Sequence, residues 1–170
     1  FNLVHIKIMA SSISIPMSDD DIYKYIKNVI LYEDFITLSP SAIVNNLPFV
    51  ILYLSSEDYG HWTLLHETVE GLEFFDPYGF RPDEQFDMLP PERQLPHGLV
   101  DFLINMSSSY QINYNQYKLQ DFGPGINTCG RWCCLREMMP CKIDTFAEAV
   151  VDVSTKLNLS PDELVAAVIN

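Results

Sequence analysis

The run Phe49–Leu54, Phe-Val-Ile-Leu-Tyr-Leu, constrains the fold of this chain more than any other segment. It is apolar throughout and bounded by Pro48 on one side and Ser55-Ser56 on the other. A run this short fits a strand better than a helix. A strand without a polar face must be covered on both sides. The chain therefore needs further strands beside this one and helices above and below it.

Both are legible in the pattern. Ser55–Gly60 is a polar turn, and His61–Thr68 with Leu72–Phe75 reads as a hairpin with Gly71 near its turn. Tyr110–Leu119 alternates well enough to predict another strand, and residues 3–8 also alternate. Ser18-Asp19-Asp20-Asp21 starts a helix, with Ser18 as cap and the acids at the positive end of the dipole. Ile22, Tyr23, Ile26 and Ile30 give it an apolar face. Ser39-Pro40-Ser41 opens a shorter helical piece. His97–Met106, Thr128–Met139, Asp144–Leu157 and Ser160–Ile169 read as helices. Pro140 stops the second of these, and Ser160-Pro161-Asp162-Glu163 is a capping box with proline at the first helical position. Residues 81–96 carry four prolines and several charges and read as an exposed loop. The expectation is one α+β domain over residues 1–170, a central mixed sheet flanked on both sides by helices in unequal numbers.

Composition narrows the function. Ten Lys plus Arg against 23 Asp plus Glu leave a formal charge of −13, so nucleic acid is not the expected partner. No stretch is apolar and long enough to cross a membrane, and the first residues lack a signal-peptide pattern. All four cysteines fall between positions 129 and 141, too clustered to staple a secreted fold. A reducing compartment, cytoplasm or nucleus, fits better. Paired Cys-x-x-Cys spacings typical of structural zinc are lacking, so no metal is expected. The chain opens on Phe1, which reads as a fragment or processed start.

The chemistry concentrates around Cys129. The loop Asp121-Phe122-Gly123-Pro124-Gly125 leads to Asn127-Thr128-Cys129-Gly130-Arg131-Trp132-Cys133-Cys134, delivering a thiol to the start of a predicted helix. Backbone N–H groups and the dipole favour a thiolate there. By itself a free cysteine is most often a small buried hydrophobe, and Cys133, Cys134 and Cys141 are read as that. Four histidines are candidate bases: His5, His61, His66 and His97. His61 begins a strand, where side chains project from a sheet into a cleft. His66, five residues on, points to the other face. Trp62 is either a core aromatic or part of a cleft wall. Asp76-Pro77-Tyr78-Gly79 has the residues of a type I turn. Its Asp76 also stands at the end of the strand next to His61, placed to accept an imidazole N–H. Gln120 ends the third strand pattern before the loop and can donate to an oxyanion together with the Cys129 amide. Gln116 competes for that role on the same face.

Taken in order, these residues resemble the family of adenain, the adenovirus-type protease, and the Ulp-like SUMO and ubiquitin-like proteases. Gly60-His61-Trp62 is similar to the family's His-Trp strand start. Phe75-Asp76-Pro77-Tyr78-Gly79-Phe80 is similar to the adenain turn, with Asp in place of Glu. Gln120 and Cys129-Gly130-Arg131-Trp132-Cys133-Cys134 resemble the family's Gln and its Cys-Gly-x-x-Cys-Cys helix. Gln120 lies farther from Cys129 than in the family, and the Gly-Pro-Gly loop takes up the difference. The resemblance spans residues 60–134. It implies a papain-like α+β fold with permuted chain order, and a cysteine endopeptidase that cleaves after small residues, of Gly-Gly or Gly-x type. His61, Asp76 and Cys129 become the catalytic residues, Gln120 the oxyanion donor, and Trp62 and Gly130 part of the substrate cleft. No cofactor is implied, and the acidity argues against the DNA that assists adenain. The partner is a protein or peptide substrate, with maturation of a viral or mobile-element precursor favoured by the adenain-like helix and turn. A virion is then a second location. The alternatives are a SUMO- or ubiquitin-like deconjugating protease, an acetyltransferase sharing the His–acid–Cys order, and an inactive binding module on the same fold.

Overall fold

A computed structural model describes residues 13–170. The alternating run at 3–8 and His5 lie outside the described residues. Five strands form one mixed sheet in the order β1 (Asn28–Leu31), β2 (Phe49–Leu54), β3 (Gly60–Thr68), β4 (Gly71–Phe75) and β5 (Ile112–Tyr114). The inner pairs β2–β3 and β3–β4 are antiparallel, whereas the outer pairs β1–β2 and β4–β5 are parallel. The predicted hairpin is in register from Leu64↔Phe75 to Thr68↔Gly71, and Gly71 turns it at φ 121°. That backbone region favours glycine.

Alternation along the strands divides the core in two. Val50, Trp62, Leu64 and Phe75 point to one face, where α1 (Asp19–Ile22), α5 (Cys129–Met138), α6 (Ile143–Leu157) and α7 (Pro161–Val168) cover them. Phe49, Ile51, Tyr53, Leu65 and Phe74 point to the other, under α2 (Tyr32–Phe35), α3 (Pro40–Val44) and α4 (Gly98–Met106). The six-residue strand β2 is buried on both faces, as its unbroken apolar sequence requires. Helix α5 is the central helix. Every residue from Cys129 to Arg136 is buried, so the helix meets solvent only in its last residues and its polar side chains need internal partners. By contrast α6 is amphipathic: it buries Phe146, Ala147, Val150 and Ser154 and exposes Val151 and Leu157.

Three expectations are corrected. The helix that starts at Ser18 has the predicted cap, with Ser18 and Asp21 forming a reciprocal capping box, but ends at Ile22. Residues Asn28–Leu31 pair with Phe49–Leu52 as a parallel strand instead. The helical spacing of Ile22, Ile26 and Ile30 was a coincidence of two elements, and the open edge of β2 decided the outcome. The strand predicted over Tyr110–Leu119 shrinks to Ile112–Tyr114. There Asn115 breaks the ladder: its side chain donates to the Asp76 carbonyl at 2.7 Å and to the Tyr117 carbonyl at 3.0 Å, and accepts from the Tyr117 amide at 2.8 Å. Residues 81–96 are not simply an exposed loop. Two 3₁₀ turns, Glu84–Met88 and Pro91–Arg93, fold Phe86 into the core beside Tyr32 and Tyr53. Buried Asp83 accepts from the Tyr53 hydroxyl at 2.9 Å.

Candidate active site

Three segments meet at one end of the sheet. β3 begins with Gly60-His61, β4 ends at Phe75 and runs into the Asp76 turn, and α5 begins at Cys129. The turn has the geometry its sequence calls for: the Gly79 amide donates to the Asp76 carbonyl at 2.8 Å, and Gly79 lies at φ 79°. Asp76 serves the turn and the histidine with one oxygen. Its Oδ1 accepts from the Tyr78 amide at 2.8 Å and lies 2.8 Å from His61 Nε2. The turn therefore holds the carboxylate rigidly against the imidazole.

Asp76 is fully buried, and the His61 side chain is 13% exposed. Burial works against a charged imidazole, but the Asp76 charge and hydrogen bond, joined by the electrostatic influence of the nearby Cys129 sulfur, outweigh it. They push the His61 pKa up to about 10. With Nε2 committed to Asp76, Nδ1 is the ring nitrogen left for the sulfur. Tyr78 stacks on the His61 ring at 4.5 Å between centroids, and exposed Phe122 stacks on Tyr78 at 4.1 Å. These rings fix the plane of the imidazole.

Cys129 is 8% exposed and forms the first residue of α5. No side chain caps this helix. The Thr128 hydroxyl, the natural cap, is committed to Asp162. The first amides of α5 are thus left to whatever binds in front of them. Two of the other cysteines are closed off by burial. Burial pushes the Cys133 thiol well above its ordinary range and the Cys134 thiol up to about 12, so both stay protonated packing groups. All four cysteines are free.

Gln120 is buried against the same site. Its backbone amide donates to the Pro77 carbonyl at 3.0 Å, and its Nε2 donates to the Tyr78 hydroxyl at 3.1 Å. A groove of about 360 Å³ is lined by His61, Trp62, Tyr78, Gln120 and Cys129, with Met17 and Tyr59 among its walls. Gln116, the competitor, is exposed and outside this groove.

Two predicted cleft residues separate. Trp62 lines the groove and donates from Nε1 to the Met17 carbonyl at 3.2 Å, which ties the segment before α1 to the sheet. Gly130 is buried behind the groove. A methyl group there would sit 3.1 Å from Met17 Cβ, 3.2 Å from Ile22 Cδ1 and 3.4 Å from Trp62 Cδ1, so glycine lets α5 approach the sheet closely. His66 does turn away from the thiol. It lies 2.8 Å from Glu137 Oε2 and 3.3 Å from Glu73 Oε1, within a buried cluster closed by Arg136. Burial opposes the Glu73 carboxylate, yet bonds from His66 and Arg136 hold its pKa below the usual value. His97 is exposed and stacks on Phe86 on the far side of the sheet.

Sequence reasoning missed Asn115 and Asp162. Asn115 braces the Asp76 carbonyl, and Asp162 holds Thr128. Neither carries a local signal: a first-turn acid after Ser-Pro is already explained by the helix dipole, and an asparagine at a strand end by turn chemistry.

Among the described residues no helix is long and apolar enough to cross a membrane. No protein-family model matches the chain, and no solved structure matches it. Among curated proteins it is 32% identical over 124 residues to "Uncharacterized protein V9" of the Sputnik virophage, a match covering 70% of this chain and 71% of that protein. At that identity and coverage the chain belongs to the same family as protein V9 of the Sputnik virophage.

Proposed function

We propose that this protein is a cysteine endopeptidase of the adenain and Ulp type, with the papain-like fold in permuted order, that matures a viral precursor by cutting after small residues. One observation carries the reading. A histidine held by a buried carboxylate lines the same groove as a cysteine at the uncapped start of a central helix, near enough for the sulfur to influence the ring's charge. A structural cysteine needs no such partner, and Cys133 on the same helix is instead fully buried, which pushes its thiol well above the ordinary range. The virophage relative supports a viral setting and so a place in or around the virion.

In the proposed mechanism Cys129 and His61 form a thiolate–imidazolium pair. The sulfur attacks the scissile carbonyl carbon, the C=O π pair moves to oxygen, and the Cys129 amide with the Gln120 side chain stabilises the oxyanion. Collapse of the intermediate expels the amine, which takes its proton from His61. Neutral His61 then removes a proton from water as it attacks the thioester, and the thiolate leaves as the pair is restored. Asp76 keeps the ring oriented and stabilises its positive form throughout. Trp62 and Met17 wall the groove where the acyl side of the substrate lies. No cofactor enters these steps.

A peptide-library cleavage profile tests the reading, with Cys129→Ala as control. The expected result is cleavage after Gly or another small residue, lost in Cys129→Ala. Iodoacetamide near neutral pH supplies a second measure: Cys129 should alkylate faster than Cys133, Cys134 and Cys141, and His61→Ala should slow it. Cleavage that survives Cys129→Ala, or an alkylation rate indifferent to His61, would sink the assignment. A covalent adduct with ubiquitin or SUMO bearing a C-terminal electrophile would move the substrate class to ubiquitin-like conjugates.

A further inference from the structure

The residues between Gln120 and Cys129 form a loop whose tip, at Gly123–Gly125, is exposed, and a side chain at Gly125 would meet nothing within 4 Å among the described residues. Phe122 stacks on Tyr78, and the Asn127 amide donates to the Ile13 carbonyl, so the middle of the loop is anchored to its surroundings. The residues at its two ends share one distant carboxylate. Asp162, in the first turn of α7 and 4% exposed, accepts from the Asp121 amide through Oδ2 at 2.9 Å. Through Oδ1 it accepts from the Thr128 hydroxyl, and from Trp132 Nε1 at 3.1 Å. Asp121 follows Gln120 directly, and Thr128 precedes Cys129 directly. One side chain thus spans the loop at its base and also grips α5 one turn into the helix.

We propose that Asp162 is a positioning residue for the candidate active site: it clamps the loop so that the Gln120 amide and the Cys129 amide face one point, where an oxyanion would form. The inference rests on the protease reading for its catalytic meaning, whereas the clamp itself concerns only the loop. It also accounts for the missing cap of α5. The Thr128 hydroxyl is turned toward Asp162 and makes no bond to the first amides of the helix. A local explanation of Asp162 as a first-turn acid requires neither contact, since such acids act on the helix dipole from exposed positions.

Asp162→Asn separates clamp from packing. The variant keeps the shape but has a single oxygen. That oxygen can serve the Asp121 amide or the Trp132 indole, both of which can only donate, so either the start of the loop or the helix beyond its end loses its acceptor, and the clamp no longer joins the two. With a fluorogenic acyl-Gly-Gly coumarin amide as probe, kcat should fall roughly 10²-fold, the scale of one lost oxyanion donor. KM should change little. The iodoacetamide rate at Cys129 should stay within about threefold, since alkylation forms no oxyanion. In Gln120→Ala the further change Asp162→Asn should cost far less than it does alone, because both act on the same donor. Amide hydrogen exchange across 121–128 should accelerate in Asp162→Asn. Multiplying kinetic losses, or an alkylation rate that falls in step with kcat, overturns the proposal. Should the wild-type chain leave the probe uncut, the protease reading fails on its own, and exchange decides the clamp: faster exchange at 121–128 upholds it, and unchanged exchange overturns it.

Discussion

Asp76→Asn is the sharpest perturbation of the candidate site, because it removes one charge and little else. The asparagine oxygen can still accept from His61 and the Tyr78 amide, and its new NH₂ falls where Asp76 Oδ2 now has no hydrogen-bond partner. The His61 ring, 13% exposed, then meets burial without a counter-charge. Its pKa should drop from about 10 to below the ordinary 6.5, since burial is the largest influence on it and acts downward. A histidine whose pKa is raised by folding contributes its full stabilisation below pH 6.5 and loses it as pH rises to about 10. Each pH unit inside that window is worth about 1.4 kcal/mol, with about 5 kcal/mol across it as an upper bound. The wild-type protein should therefore lose its stability margin over the variant as pH climbs from 6.5 to 10. Histidine-selective NMR titration reads the ring directly, and denaturant unfolding at several pH values reads the linkage. Cleavage near neutral pH should fall by about 10²–10⁴-fold, the upper figure being that of the comparable change in a Ser-His-Asp triad. If His61 titrates at the same pH in both proteins, Asp76 does not hold its charge and the ion-pair argument is wrong.

Two further substitutions test the scaffold behind the site. Gly130→Ala inserts a methyl group at 3.1–3.4 Å from Met17, Ile22 and Trp62 and should destabilise by about 1–3 kcal/mol while loosening the Trp62 wall. Thermal unfolding and Trp fluorescence measure both, and an unchanged Tm would mean that α5 does not need this close approach. Arg136→Met strips Glu73 of bonds at 2.8 and 2.9 Å and leaves a carboxylate that is 2% exposed with only His66 beside it. Breaking one side of a buried pair costs about 3–5 kcal/mol, so Tm should fall by roughly 10 °C. The double variant Glu73→Leu with Arg136→Met should recover part of that loss, and a double variant worse than Arg136→Met alone would show that the cluster stabilises by more than mutual neutralisation.

Much of this protein is written in short-range pattern. The apolar run at Phe49–Leu54, the hairpin closed by Gly71, the capping boxes at Ser18 and Ser160 and the Asp76-Pro77-Tyr78-Gly79 turn each depend on residues a few positions apart, and each forms where the sequence places it. His61, Asp76, Gln120 and Cys129 were legible for the same reason: each sits at the end of an element whose boundary has local chemistry. What the sequence could not decide was every contact that joins distant segments. Whether Asn28–Leu31 would be helix or strand depended on the open edge of β2, and whether Phe86 would be exposed depended on a gap beside Tyr32 and Tyr53. The division of labour on α5 was equally hidden. Four cysteines share thirteen residues, and only the placement of His61 beside the first, with the burial of Cys133 and Cys134, sets Cys129 apart. Asp162 is the extreme case, a first-turn acid in sequence and the tie across the loop before Cys129 in space. Local pattern determines elements because their hydrogen bonds close within a few residues; the site's charges and donors act across the fold, so only tertiary packing could assign them.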